Sequence, residues 1–305
     1  MTTPRVPALT DDELLALMDA CSNAGRWGPD DELGTLNLLT DDVRRNAAQL
    51  VTDGHVVPLG RPWPMAGSTV ASHPVIHRML HTDDGTSAID SLSVTPHDPQ
   101  ITHVDALGHI FFRGRGYNGR AESEVVLPSG LSSLSVGAMR EGIFTRGVLL
   151  DICAARSVDY LAADDYVTVE DLEVAEKQAG VLVGRGDALV LHVGRAERLA
   201  DQELTDFPVP RAGIHASVLP WLHERDVAVF LGDCTERLPP EETAVPLPLH
   251  QIGIVAMGLC LVDGALTSEL AHTCARLGRH EFLFSCTIPE IPRATGFPVA
   301  PLCLF

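Results

Sequence analysis

Apolar residues recur at helical spacing twice near the N-terminus. In "TDDELLALMDA", Leu14, Leu17 and Met18 form one stripe, acids fill the first turn, and Thr10 stands where a cap belongs. "TDDVRRNAAQLVTDG" repeats the grammar, with Thr40 as cap and Gly54 as stop. The turn-rich "RWGPDDELGTLN" separates the two. Residues 1–54 are therefore read as an N-terminal helical arm, placed to pack on a partner subunit. From Val56 to Asp105 many Pro, Gly and Ser residues favour strands and turns. Beyond lie short, uninterrupted apolar runs at 147–152, 187–193, 227–233, 252–257 and 281–286, each read as a strand. Helical patterns alternate with them at Thr168–Ala179, Ile214–Glu224 and Thr267–Leu277. Continuous apolar strands interleaved with helices predict an α/β fold whose sheet is covered on both faces. No linker or repeat interrupts the 305 residues, so one domain is expected, its core over 55–305.

Charge narrows the partners. Lys plus Arg number 22 and Asp plus Glu 41, giving 22 − 41 = −19. Such a chain repels nucleic acid and anionic lipid and suits a small substrate or a divalent cation. Lys177 is the single lysine and falls in a helical pattern, which leaves Schiff-base chemistry little to work with. The seven cysteines include no C-x-x-C pair and sit mostly in apolar runs, as expected of buried, reduced thiols in a cytoplasmic protein. The N-terminus is too acidic for a signal peptide, and the apolar stretch Ile252–Val262 is too short to span a bilayer.

Chemistry concentrates in "THVDALGH". If Thr102–Asp105 ends a strand, His103 and Asp105 are i and i+2 and point the same way, as a pair of metal ligands would. His109 follows four residues later and can return to the same centre. Spacing alone leaves open that both histidines are ordinary strand-edge residues. Other signals carry less. "GRGYNG" fits G-x-G-x-x-G, but "RAESEVVLP" is too short for the helix a pyrophosphate needs, so a turn beside the site is expected, with Tyr117 and Asn118 lining the pocket. His73, His77 and His81 are spaced for one helix face, yet Pro74 and strand-like neighbours argue for loop or pocket residues. Cys234 reads as a plain buried thiol, and no G-x-S-x-G elbow occurs. Trp63 and Phe111 are candidate aromatic walls for a flat substrate.

Five stretches in order, "RWGPDDELGTLNLLT", "THVDALGHIFFRGRGYNG", "GRGDALVLHVG", "PLHQIGIVAMGLCLVD" and "EFLFSCTIPEIPRATGFPVAPL", together resemble the metal-dependent cyclase family. That family includes bacterial kynurenine formamidases, isatin hydrolase and some polyketide ring cyclases. The resemblance runs from about Trp27 to the C-terminus and implies a cyclase-like fold with a mixed β-sheet core. Of the family motif H-x-G-T-H-x-D-x-x-x-H, Thr102, His103, Asp105 and His109 match the last four fixed positions. The first histidine falls at Pro99 and the glycine at Ile101, a departure that leaves His97, two residues early, as the substitute ligand. The resemblance further implies that His250 and Asp263, the latter where glutamate is usual, complete a metal set holding zinc or manganese. A metal-bound hydroxide would then attack a carbonyl while His109 serves as general acid/base. The implied activity is hydrolysis of an aryl formamide, lactam or cyclic amide by a homodimer or homotetramer. Two alternatives stay open: a polyketide ring cyclase or dehydratase, and a degenerate member acting as a binding protein.

Overall fold

The apolar runs pair into one sheet. In a computed structural model, which describes residues 6–65, 73–81, 85–201, 209–241 and 243–305, nine strands lie side by side. Their order is Val56–Pro58, Leu302–Leu304, Glu281–Cys286, Ile143–Asp151, Ala188–His192, Val229–Gly232, Cys260–Asp263, His103–Asp105 and Gly296–Pro298. The four from Ile143–Asp151 to Cys260–Asp263 are parallel; every other pairing in the sheet is antiparallel. The mixed sheet is thus present. Its strands read as unbroken apolar runs because both faces are buried. Val148, Leu150, Leu189, Leu191 and Phe230 enter one apolar cluster. Leu149, Val190, Val229 and Leu231 enter the other. Each such side chain is worth about 1.5–3 kcal/mol on burial.

Helices cover the sheet where caps and stripes predicted them. Thr10 and Glu13 form a reciprocal capping box on Asp11–Ala20, and Thr168 and Asp171 form another on Val169–Ala179. Each box satisfies two N–H groups that the first turn leaves without partners. The N-terminal helical arm folds back on the chain's own core. Leu14 joins the first apolar cluster, the Asn23 amide donates to the Met257 carbonyl, and Arg26 forks onto Asp226 at 2.6 and 2.8 Å.

Two assignments need correction. Residues 252–257, expected as a strand, lie in a wide π-type helix, Leu249–Met257. A short apolar run carries no period that separates a buried strand from a buried helix. The strand comes just after it, at Cys260–Asp263. Gly258 lies between the two at φ +64°. A Cβ there would meet the Tyr117 ring at 2.5 Å and the Gly34 Cα at 2.9 Å, so only glycine fits. Of Ile214–Glu224 only Val218–Glu224 is helical, while Gly213–Ile214 pairs with Tyr166–Val167.

Ile76–His81 and Ala88–Ser93 form a separate hairpin. His77 faces Asp90 at 2.9 Å, and the three histidines 73, 77 and 81 share no helix face; the His81 side chain lies outside the described residues. Ile76, Met79, Leu80, Ile89 and Leu92 on this hairpin are about half exposed. All seven cysteines are buried and unbridged. No helix among the described residues is long and apolar enough to cross a membrane.

One buried imidazole ties the N-terminal segment to this core. The Ser217 N–H donates to His215 Nδ1, so Nε2–H is left to donate to the Pro7 carbonyl at 3.2 Å. Burial lowers the His215 pKa. Between that value and about 6.5, the unfolded chain therefore binds a proton that the folded one refuses. Stability should fall as pH drops below 6.5, by up to about 1.4 kcal/mol per pH unit from this group. Urea unfolding at pH 7.5 and 5 should show a smaller loss in His215→Gln than in wild type; equal losses refute the assignment.

Candidate functional site

In parallel α/β sheets, chemistry collects beyond the carboxyl ends of the strands, where side chains leave the core while the backbone stays fixed. His192, Asp233 and Asp263 mark those ends on three adjacent strands. The neighbouring His103–Asp105 strand runs antiparallel, pairing His103 with Asp263 and Val104 with Val262. Val104 goes into the apolar core, so alternation turns His103 and Asp105 to the opposite face together.

Asp105 is the hub. It is 1 % exposed, and four imidazoles surround its carboxylate. Oδ1 lies 2.9 Å from His97 Nδ1, 3.4 Å from His103 Nε2 and 4.0 Å from His109 Nε2; Oδ2 lies 3.6 Å from His250 Nε2. None of these contacts is aligned as a hydrogen bond, so both carboxylate oxygens and His97 Nδ1 are buried without a donor or acceptor. The other nitrogens explain why. His103 Nδ1 donates to the Ile101 carbonyl at 2.8 Å, and His250 Nδ1 donates to Glu236 at 2.8 Å. Each thereby turns Nε2 towards the Asp105 carboxylate. With both rings neutral, lone pairs face lone pairs, and a divalent cation between them would satisfy them. Without one, a proton on Nε2 takes that place, and Glu236 and Asp105 favour it on His250.

The spacing fits such a cation. Ligands about 2.0–2.1 Å from a shared tetrahedral ion stand roughly 3.3 Å from each other. The ligand atoms of His97, Asp105 and His109 all lie within 4.8 Å of one another. His97 reaches the hub although its register differs from the expected Pro99. Its ring stacks on His109 with centroids 3.6 Å apart, and its Nε2 lies 3.0 Å from Thr295 Oγ1.

The protonation states diverge. Burial, then the charges of nearby His97, His250 and His103, push His109 down to about 4 even though Asp105 opposes them. Burial also works against a charged His250, but Glu236 and Asp105 outweigh it and raise that group to about 9. Burial resists ionisation of Asp105 too, yet the flanking His103 and His97 hold it well below the ordinary carboxylate range.

Asp263 stands across from His103, accepts the Gly264 N–H at 2.6 Å, and lies within electrostatic reach of His103, His250 and Asp105. Tyr117, expected in the pocket, is fully buried, and its hydroxyl donates to Asp31 at 2.9 Å. Asn118 accepts the Gly25 N–H and donates to the Gly28 carbonyl, again a loop-fixing role. Both side chains hold the 25–31 loop, which is what a turn at "GRGYNG" had to brace. Trp63 is 36 % exposed, while Phe111 is half-buried against the first apolar cluster and the Gly116 backbone. Cys234 is buried, and burial pushes its thiol up, in keeping with a plain buried thiol. Glu236, which sequence reasoning passed over, is fully buried and grips His250 through both its ring and its backbone N–H. Its only signal was its place just past a strand end in "FLGDCTE".

The sequence pattern of a family described as "Putative cyclase" matches residues 46–236. A crystal structure of a novel cyclase is 28 % identical, covers 93 % of this chain and 99 % of its own, and superposes with a TM-score of 0.83. An isatin hydrolase bound to the product analogue thioisatinate is 16 % identical over 85 % of this chain and 94 % of its own, with a TM-score of 0.59. Isatin hydrolase A from Labrenzia aggregata, bound to benzyl benzoate, is 16 % identical over 88 % of this chain and 99 % of its own, with a TM-score of 0.57. The last two likenesses are of fold. No curated protein matches the chain.

Proposed function

This chain belongs to the cyclase family, and from that premise we propose that it is a metal-dependent hydrolase opening the C–N bond of an aryl formamide, lactam or cyclic amide. The observation that carries the reading is Asp105, a buried carboxylate with neither oxygen bonded and four imidazoles around it. His103, Asp105, His97 and His250 would hold a divalent zinc or manganese ion, with Asp263 beside them. When bound, such an ion supplies Lewis acidity to a carbonyl oxygen and lowers the pKa of a water towards neutrality. The chain's own groups do the rest. Glu236 fixes the His250 ring, and Ile101 fixes the His103 ring, each leaving Nε2 turned inwards. His109, neutral at pH 7, accepts a proton from the attacking water and returns it to the leaving nitrogen. Trp63 and Phe111 would flank the substrate.

Convergence of His97 on Asp105 also weighs against a degenerate member, since the Pro99 departure does not remove an imidazole from the cluster. The half-exposed apolar hairpin supports assembly as a homodimer or homotetramer. Sedimentation velocity should then give a single species larger than one chain, and a monomer at micromolar concentration refutes it.

Elemental analysis of untagged protein should find near-stoichiometric zinc or manganese, and the loaded protein should hydrolyse N-formylkynurenine or isatin. Failure to take up either metal sinks the hydrolase reading. Glu236→Gln should keep the fold and weaken metal affinity roughly 10–100-fold in chelator competition, as loss of an orienting carboxylate does. Unchanged affinity would mean that Glu236 does not set the His250 ring.

A further inference from the structure

Three arginines lie beside this centre without a carboxylate in ion-pair contact, Arg195 and Arg211 buried and Arg61 half-buried. Arg195 is 5 % exposed and Arg211 7 % exposed. Arg195 Nε and Nη1 and Arg61 Nη2 are buried with no acceptor. Among the described residues none of the three forms an ion pair. Two acids whose charges reach the cluster, Asp233 and Asp263, are also engaged elsewhere: Asp233 accepts the backbone N–H groups of Val193 and Arg195 at 2.8 and 2.9 Å, and Asp263 accepts that of Gly264. In a chain of net charge −19, a buried cluster of unpaired guanidiniums is costly and needs a reason.

Arg61 is held by residues that flank the candidate metal ligands, Arg211 by the segment that carries Glu236, and Arg195 by the adjacent strand end. The Arg61 backbone N–H donates to Thr102 Oγ1 at 2.9 Å, and its Nε donates to the Gly264 carbonyl at 2.8 Å. Thr102 precedes His103, and Gly264 follows Asp263. Arg211 donates through Nη2 to Thr235 Oγ1 at 2.5 Å and through Nε to the carbonyl of Glu236, the residue that grips His250. Arg195 follows the end of the Ala188–His192 strand, tied by its backbone to Asp233. The three are mutual neighbours: burial, then the charges of Arg211 and Arg61, push Arg195 down to about 9. Asp263 feels Arg211, His103 and His250 together, so a guanidinium and two of the imidazoles lie within electrostatic reach of one carboxylate.

We propose that Arg61, Arg195 and Arg211 form an anion site that takes a carboxylate carried by the substrate, beside the carbonyl to be cleaved. Guanidinium forks match a carboxylate in geometry and are firmly charged, so they select an acidic substrate over its neutral analogue. The assignment of the anion to the substrate rests on the hydrolase reading; the anion site itself does not.

Calorimetric titration with benzoate tests the site without turnover, on metal-loaded and on chelator-treated full-length protein. Benzoate should bind both forms, and Arg195→Met and Arg211→Met should each weaken it roughly tenfold or more with metal content unchanged. Arg195→Lys, which keeps the charge but loses the fork, gives the same reading should the methionine variants misfold. Binding that disappears on chelation, or that ignores every substitution, overturns the proposal, because the carboxylate would then sit on the metal or elsewhere. Inorganic sulfate serves as the free-anion control: a protein that takes sulfate and refuses benzoate overturns the substrate assignment. On loaded enzyme, kcat/KM for N-formylanthranilate should exceed that for formanilide roughly tenfold or more, and the preference should vanish in Arg195→Met. Equal rates overturn it. A protein that binds benzoate but no metal would defeat the hydrolase reading and leave the anion site standing.

Discussion

Asp105→Asn should yield a folded protein that emerges with background metal and loses about 10³ or more of its amide-hydrolysing kcat/KM. Asparagine keeps the volume, so the packing around this 1 % exposed position survives. What it removes is the one anion on which His97, His103, His109 and His250 converge. The amide also brings an N–H₂ that can donate to the imidazole lone pairs, stabilising the protein without a cation. Losing a Lewis acid that contributes several kcal/mol corresponds to that fall in rate. Circular dichroism and elemental analysis on the same preparation separate the causes. A variant that keeps near-stoichiometric metal would show that Asp105 is not the hub, and the site would have to be rebuilt around the histidines alone. A variant that lost metal yet kept its activity would instead refute metal dependence.

Much of this arrangement was legible in the chain because it rests on short-range periodicity. Two faces buried by helices predict unbroken apolar strands, and Leu149 and Leu150 on opposite faces of one strand bear that out. The i, i+2 placement of His103 and Asp105 follows from the same alternation. Strand identity failed at residues 252–257, where composition favoured a strand while the chain wound a wide helix from Leu249 to Met257. Tyr117 and Asn118 bond to the 25–31 loop; being near a site in sequence does not say which way a turn presents its side chains. Glu236, Arg61, Arg195 and Arg211 were not legible at all. Nothing local marks a charged residue as buried; that is decided by which strand ends come together, and those residues meet only in the folded sheet.

His109 is where the proton chemistry and the metal set make opposite predictions. As general acid/base, its replacement in His109→Ala should lower kcat by about 10²–10⁴ and leave metal content unchanged. As a ligand, the same change should strip the metal. We propose the first outcome, although the ligand atoms of His109, His97 and Asp105 all lie within 4.8 Å of one another. The His109 Nε2 is the most distant of the four imidazole nitrogens from Asp105, at 4.0 Å, and its ring stacks face to face on His97, which holds it in place without a metal bond. Burial and the surrounding imidazoles push it to about 4, so the ring is an unprotonated base across the neutral range and loses that competence only as pH falls through the depressed value. The acid limb of kcat in wild type should accordingly lie well below the 6.5 of a free imidazole. In His109→Ala that limb should disappear, and added imidazole, filling the space above His97, should restore part of the rate. Restoration with the metal retained identifies a proton carrier. Loss of metal together with failure of imidazole to restore the rate moves His109 into the ligand set and leaves the base to be sought among the remaining buried histidines.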